Sequence, residues 1–139
     1  MSIDPGSCCV CACTYFQYVI LLGEPEADDL IQVIAQSQEP RMSSFSILEA
    51  GIVMQARKGE AGSRELDLFI QKAVIKIVPL DLEQANLARS AWNNYGKGRH
   101  PAGLNMGDCC AYALAKCTAS PLIFKGNDFD KTDITAFIY

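Results

Sequence analysis

The chain has 139 residues, half of them hydrophobic and 20% charged, with a net charge of −4 at pH 7, which suits one domain spanning residues 1–139 with a core of its own. Its apolar runs, Tyr18 to Leu22 among them, fall far short of the roughly 18 to 20 residues that cross a bilayer, and Met1 to Ser7 has neither the basic start nor the apolar stretch of a secretory signal. The acidic balance excludes a protein that coats nucleic acid through its overall field, but leaves room for one basic patch holding phosphates beside carboxylates holding a metal.

The seven cysteines fall into two groups. Cys8, Cys9, Cys11 and Cys13 crowd the N-terminus, and Cys109, Cys110 and Cys117 lie in one apolar segment. An odd count with adjacent pairs makes a poor disulfide framework, so the expectation is free thiols in a reducing cytoplasm. The N-terminal group lacks a second ligand pair at zinc-finger spacing, and His100 is the only histidine.

In chain order, residues 1–12 are the least legible and read either as an altered first strand or as vector-derived sequence. Asp4-Pro5-Gly6-Ser7 is a turn signal. Cys8 to Thr14 is expected as a buried first strand, and Phe16 to Leu22 as a short helix ended by Gly23. Proline early and acids in the first turn mark a helix from Glu24, with Ala27, Leu30, Ile31 and Ile34 on one face. Beyond Pro40, Arg41 to Ser43 reads as a brief strand. Ser43 and Ser44 cap a helix running to Lys58 that is apolar nearly all round, with Glu49 as the exception. Ser46-Ile47-Leu48-Glu49 also matches a capping box, which would start that helix later; the serines before it favour Glu49 in the second turn.

Gly59 to Gly62 reads as a loop, Ser63 as the start of a helix burying Leu66, Phe69, Ile70 and Ala73, and Ile75 to Val78 as a strand stopped by Pro79. Asp81 caps the next helix with Gln84 three residues on; Leu82, Ala85, Ala88, Trp92 and Tyr95 form its core stripe, and Arg89 and Asn93 face water. Gly96 to Gly103 concentrates positive charge and glycine around Lys97, Arg99 and His100. It is either a solvated connection or a phosphate clamp, with His100 as a base contact or proton donor. Leu104 to Lys116 is a helix buried nearly all round with one carboxylate, Asp108, near its first turn. Pro121 to Phe124 is a strand, Lys125 to Asp130 a turn, and Asp133 to Ile138 a closing edge strand.

Strands alternating with helices imply a three-layer α/β/α sandwich with a mostly parallel central sheet and ligands at the carboxyl ends of the strands. Asp108 alone is well explained by helix capping. A second acid inside an apolar helix, Glu49, and a third after an apolar strand, Asp128 beside Asn127, change the balance, because buried carboxylates near one another call for a cation.

Several pieces now combine: Leu22-Gly23-Glu24-Pro25-Glu26-Ala27, Leu48-Glu49-Ala50, Tyr95-Gly96-Lys97-Gly98-Arg99-His100-Pro101-Ala102-Gly103-Leu104-Asn105, Gly107-Asp108-Cys109, Tyr112-Ala113-Leu114-Ala115-Lys116, and Phe124-Lys125-Gly126-Asn127-Asp128-Phe129 with Thr132-Asp133-Ile134. From Leu21 to Ile134 the chain resembles a PIN domain, specifically the VapC-type ribonuclease toxins of bacterial toxin–antitoxin pairs. The resemblance implies a Mg²⁺- or Mn²⁺-dependent endoribonuclease with Glu49, Asp108 and Asp128 as catalytic, metal-holding acids and Asn127 as helper or substitute. It further implies substrate contacts from Lys97, Arg99, His100, Thr14, Asn105, Asn127 and Lys125.

Such proteins open with a strand ending in Asp followed by Thr or Ser. Counting back without gaps places Cys13-Thr14 there; the alternative, Asp4, lies nine residues earlier and needs an insertion. A cysteine is a soft ligand poorly matched to Mg²⁺, so Cys13 in that place would weaken metal affinity and turnover. Two readings therefore stay open: an active RNA-cleaving toxin, and a catalytically weakened module kept for binding RNA or antitoxin. A phosphate-accepting receiver-like domain would need an acid pair ending the first strand, which is absent. The resemblance also implies a homodimer, a VapB-like antitoxin whose tail enters the acidic groove, an RNA substrate, no membrane and a cytoplasmic setting.

Overall fold

A computed structural model of the chain describes residues 21–25, 27–124 and 128–135, and the backbone of 10–12. Asp4, Cys13, Thr14, Lys125 and Asn127 lie outside the described residues, as do the Asp4 to Ser7 turn and most of the Phe16 to Leu22 helix.

Four short strands make one parallel sheet. Strand β1 is Val10–Ala12, β2 Pro40–Ser43, β3 Lys76–Val78 and β4 Leu122–Ile123, in the order β3-β2-β1-β4. Val10 pairs with Pro40, Cys11 lies between Arg41 and Leu122, and Met42 pairs with Ile77. The chain steps outward from β1 to β3 and then returns to the far side of β1 for β4. That reversal leaves a crevice at the carboxyl ends of β1 and β4, where an open α/β sheet accepts ligands. Pro40 begins β2, the position in a strand that best tolerates a missing N–H.

The crossovers are α1, Ala27–Gln36; α2, Ser44–Lys72; α3, Leu82–Tyr95; and α4, Met106–Thr118. Helix α4 packs on β1, β2, β4 and α3, while α2 packs on β2, β3 and α4. Buried Leu30, Met42, Leu104, Leu114, Leu122 and Ile123 are core members. The result is the expected three-layer α/β/α sandwich. No helix among the described residues is long and apolar enough to cross a membrane.

Local chemistry explains most helix starts. Ser43 Oγ accepts from Phe45 N–H at 3.2 Å, Ser44 Oγ accepts from Leu80 N–H at 3.0 Å, and Asp81 Oδ1 accepts from Gln84 N–H at 2.9 Å. Helix α2 begins at Ser44, which puts Glu49 in its second turn.

The structure departs from the sequence reading in five places. The Gly59 to Gly62 loop is a single break at Gly59 (φ 61°, ψ −147°), after which the helix resumes, because glycine alone absorbs that conformation cheaply. Ile31, Leu48, Ile52 and Leu82 are exposed although each lies on an apolar stripe, while Val33 and Ala91 fill the core beside them. Trp92, expected in the core, is 38% exposed. Of the expected edge strand Asp133 to Ile138, Asp133 to Thr135 are not a strand, though the Thr135 carbonyl accepts from Leu122 N–H at 2.9 Å, and Ala136 to Ile138 lie outside the described residues. Finally, part of the expected turn at Lys125 to Asp130 belongs to a 3₁₀ turn, Phe129–Lys131.

Two glycines inside α2 separate propensity from packing. A β-carbon at Gly51 would sit 3.9 Å from Leu66 Cδ2, ordinary contact, whereas one at Gly62 would collide with the Met54 backbone carbonyl and stand 2.9 Å from Lys58 Cβ. Gly51→Ala should therefore stabilise by up to about 1 kcal/mol, and Gly62→Ala should destabilise by about 1–3 kcal/mol as overpacking does. Urea denaturation of the two variants checks the opposite signs.

Candidate active site

The N-terminus of α4 is closed by a reciprocal cap. Asn105 Oδ1 accepts from Asp108 N–H at 2.8 Å, and Asp108 Oδ2 accepts from Asn105 N–H at 3.1 Å. This is a capping box with Asp in the third helical position. The capping role that explains an isolated acid is thus real for Asp108. It engages Oδ2, while Oδ1 has no hydrogen bond among the described residues.

Glu49 reaches the same helix end from α2. Its carboxylate lies against Gly107, so closely that a β-carbon there would stand 2.5 Å from Oε1 and 2.9 Å from Oε2. Gly107 is the residue before Asp108, and its missing side chain is what admits the second carboxylate. Asp128 arrives from the other side, one residue ahead of the 3₁₀ turn and without a side-chain cap bond. Burial is the largest cause holding the Asp108 carboxyl above its ordinary pKa; the Asn105 hydrogen bond opposes it, and the charges of Asp128 and Glu49 raise it further. Two acids distant in sequence, Glu49 and Asp128, therefore both act on Asp108. Among the described residues no group of three His, Cys, Asp or Glu side chains is gathered tightly enough to hold a metal ion.

The thiols beside this cluster are inert. Burial, then the charge of Asp108, pushes Cys109 to about 11, and burial with the charge of Glu49 raises Cys110. Both are buried free cysteines, serving as small apolar wall residues.

The Gly96 to Gly103 segment is more ordered than its glycine content suggests. Lys97 N–H donates to the Leu104 carbonyl and Leu104 N–H to the Tyr95 carbonyl, each at 3.0 Å, while Arg99 and His100 N–H groups both return to the Gly96 carbonyl. His100 braces this loop: Nδ1 accepts from Ala102 N–H at 3.1 Å, and its ring meets Tyr95 edge-on at 5.2 Å. Lys97 and Arg99 remain exposed. Lys97 and Asn105 also line a cavity of about 660 Å³ walled by Phe45, Trp92, Met106 and Cys110.

Two features escaped the sequence reading. Lys131 Nζ donates to the Pro101 carbonyl at 3.4 Å, which adds a third cation to the loop of Lys97 and Arg99. Tyr112 donates its hydroxyl proton to Asp133 at 2.7 Å, and Lys116 Nζ pairs with the other Asp133 oxygen at 2.7 Å. The signal for the second was present, since Asp108, Tyr112 and Lys116 follow at four-residue steps along one helix face.

Known proteins resemble this arrangement. The PIN domain family matches residues 15–134. Ribonuclease VapC of Mycolicibacterium smegmatis is 50% identical over 117 residues, covering 84% of this chain and 91% of that protein. Ribonuclease VapC30 of Mycobacterium tuberculosis is 47% identical over 115 residues, covering 83% and 88%. Among solved structures, VapBC2 of Rickettsia felis bound to a promoter DNA fragment has a TM-score of 0.74 at 13% identity, covering 94% of this chain and 97% of that one. VapC20 of Mycobacterium tuberculosis, described as a sarcin-ricin loop cleaving toxin, has a TM-score of 0.72 at 12% identity, covering 91% and 96%. At those identities the two structures show the fold alone.

The charge on Asp108 carries a pH-dependent cost in metal-free buffer. A carboxyl whose pKa is raised on folding weakens the fold above that pKa and stops doing so as pH falls through it. Asp108→Asn keeps an acceptor for Asn105 N–H without the charge. Its melting temperature should exceed the wild type's by a few degrees at neutral pH, with the gap closing as the medium is acidified. Thermal denaturation with a chelator present checks this; parallel curves across the range would show that the charge costs nothing.

Proposed function

Because the chain belongs to the PIN domain family, and within it to the VapC ribonucleases, we propose that it is the toxin of a type II toxin–antitoxin pair, an endoribonuclease that hydrolyses RNA phosphodiesters with a Mg²⁺ or Mn²⁺ ion held by Glu49, Asp108 and Asp128. The observation that carries this reading is the Glu49 carboxylate lying against Gly107, next to Asp108, with the charge of Asp128 also acting on the Asp108 carboxyl. The donor chemistry fits: hard carboxylate oxygens suit a hard divalent cation that retains several waters. Bound there, such an ion lowers the pKa of its water and stabilises charge developing on phosphorus.

The chain's own residues do the rest. The capping box sets the orientation of Asp108, and Gly107 leaves Glu49 room beside it. Lys97 and Arg99, exposed on a self-bonded loop, supply phosphate contacts that position RNA while reading little sequence. Asn105, Thr14, Lys125 and Asn127 remain candidate substrate contacts, and His100, already bonded within its loop, is a weaker one.

A second reading, a catalytically weakened module that binds RNA or antitoxin, is favoured by Cys13 in the place expected for Asp and by the absence, among the described residues, of a closed three-ligand group. A VapB-like antitoxin is the proposed partner, supported by the toxin–antitoxin complexes of the same fold from Rickettsia felis and Klebsiella pneumoniae. A homodimer is supported by apolar residues left in solvent: Leu48 and Ile52 lie one turn apart on α2, and Trp92 and Met106 are exposed at the cavity that half-buried Phe45 also lines. A cytoplasmic setting follows from an RNA target and from free thiols.

Two experiments test this. With Mn²⁺, Cys13→Asp should cleave RNA faster than the wild type, chelation should stop cleavage in both, and Gly107→Ala in either background should lower the rate on the order of 100-fold by displacing Glu49 while leaving the melting temperature nearly unchanged. Absent cleavage in every form would leave only the binding-module reading, and cleavage that chelation does not stop would overturn the metal-dependent one. In analytical ultracentrifugation the wild type should sediment as a dimer and Ile52→Lys as a monomer; a monomeric wild type would remove the proposed subunit contact.

A further inference from the structure

We propose that Tyr112 and Lys116 are positioning residues: through Asp133 they hold the segment carrying Asp128 against the helix carrying Asp108, and so set the spacing of those two carboxylates. The inference rests on the reading of these acids as a metal site, and it assigns to that site three residues that no step above uses.

The geometry is that of a clasp. Asp108, Tyr112 and Lys116 lie along one face of α4 at four-residue steps. Asp133 receives the Tyr112 hydroxyl on Oδ1 and the Lys116 ammonium on Oδ2, both at 2.7 Å, so each of its oxygens is tied to the same helix. Between Asp128 and Asp133 the chain has little slack. Phe129 is 4% exposed and its ring stacks at 5.0 Å on Phe124; the Thr132 hydroxyl donates to the Phe129 carbonyl at 2.7 Å and accepts from Ile134 N–H at 3.2 Å. The segment is thus pinned by an apolar anchor at one end and a charge-assisted one at the other.

Asp128 has no side-chain cap bond of its own, so its carboxylate takes its place from the backbone that carries it. That backbone must be held near Asp108 against like-charge repulsion whenever no cation is present. Burial opposes ionisation of Asp133, but its hydrogen bonds to Lys116 and Tyr112 outweigh this and keep the carboxyl below its ordinary range, so the clasp stays charged at neutral pH. The same tyrosine touches the basic loop: its ring lies 5.9 Å from that of Tyr95, which carries His100 on its other side. Being half exposed, the Lys116–Asp133 pair adds little to global stability. Its effect should therefore fall on the site more than on the fold.

The test uses the full chain with Tyr112→Phe, which removes only the hydroxyl, and Asp133→Asn, a change at a half-exposed position that threatens folding less. Mn²⁺ titration calorimetry is read beside the melting temperature and RNA cleavage across Mn²⁺ concentrations. Both variants should bind Mn²⁺ on the order of 3- to 10-fold more weakly, less than the ~10- to 100-fold seen when a group bonded directly to a ligand is lost. Their melting temperatures should stay within a few degrees of the wild type, and cleavage should fall at low Mn²⁺ but recover at saturation, which a general loss of structure would not do. Folded variants that bind Mn²⁺ as tightly as the wild type would overturn this inference and leave the metal-site reading standing. A wild type that binds no Mn²⁺ would overturn both.

Discussion

The Asp108 carboxyl at the N-terminus of α4 bears the cost of burial and of the charges of Asp128 and Glu49, and much of the structure around it holds those side chains in place. Asp108 is locked into a capping box, so its backbone and one oxygen are fixed before any ligand arrives. Glu49 comes close only because residue 107 has no side chain. Asp128 is carried on a short segment tied down at Phe129 and at Asp133. Each acid is held by a different device, and the Asp108 carboxyl is raised first by burial and further by the charges of Asp128 and Glu49.

The sheet order decides where the charges meet. With β1 between β2 and β4, the helix after β2, the N-terminus of α4 and the segment after β4 all emerge at the same edge of the sheet. Parallel pairing forces every connection to cross back over the sheet, so the carboxyl ends of all strands share one rim. The basic loop ahead of α4 belongs to that rim too. Lys131, bonded to the Pro101 carbonyl, links the acidic segment to the loop of Lys97 and Arg99. Cations and carboxylates are therefore neighbours through a few residues of well-bonded backbone, a sounder base for phosphate recognition than a free loop.

The same molecule leaves apolar side chains in water. Leu48 and Ile52 on α2, and Leu82 and Trp92 on α3, sit on stripes whose spacing marks them as core, yet they are exposed in the single chain. Apolar faces left in water on two helices are the kind of surface that proteins use for contacts. Trp92 also lines the cavity walled by Phe45, Met106 and two buried thiols, which Asn105 of the α4 cap reaches.

Much of the fold was legible from residues alone. Caps at Ser43 and Asp81, the buried run of α4, the strands at Arg41 to Ser43 and Leu122 to Ile123, and alternation along the chain together specify a parallel α/β sandwich, because local hydrogen bonding and hydrophobic period are written in neighbouring residues. The acids, too, could be picked out, each being polar in an apolar context. Burial of particular faces could not be read: Ile31, Trp92 and Val33 differ only in what the rest of the chain places opposite them. Nor could the break in α2, since Gly59 to Gly62 permits either a loop or one kink, and the kink that forms at Gly59 leaves Gly62 no room for a β-carbon against the Met54 carbonyl. By itself the sequence determined which side chains were candidates for the chemistry; the tertiary structure alone decided that Asp108 feels both Glu49 and Asp128, because that depends on the order of strands and on a missing side chain at Gly107, and neither is a property of local sequence.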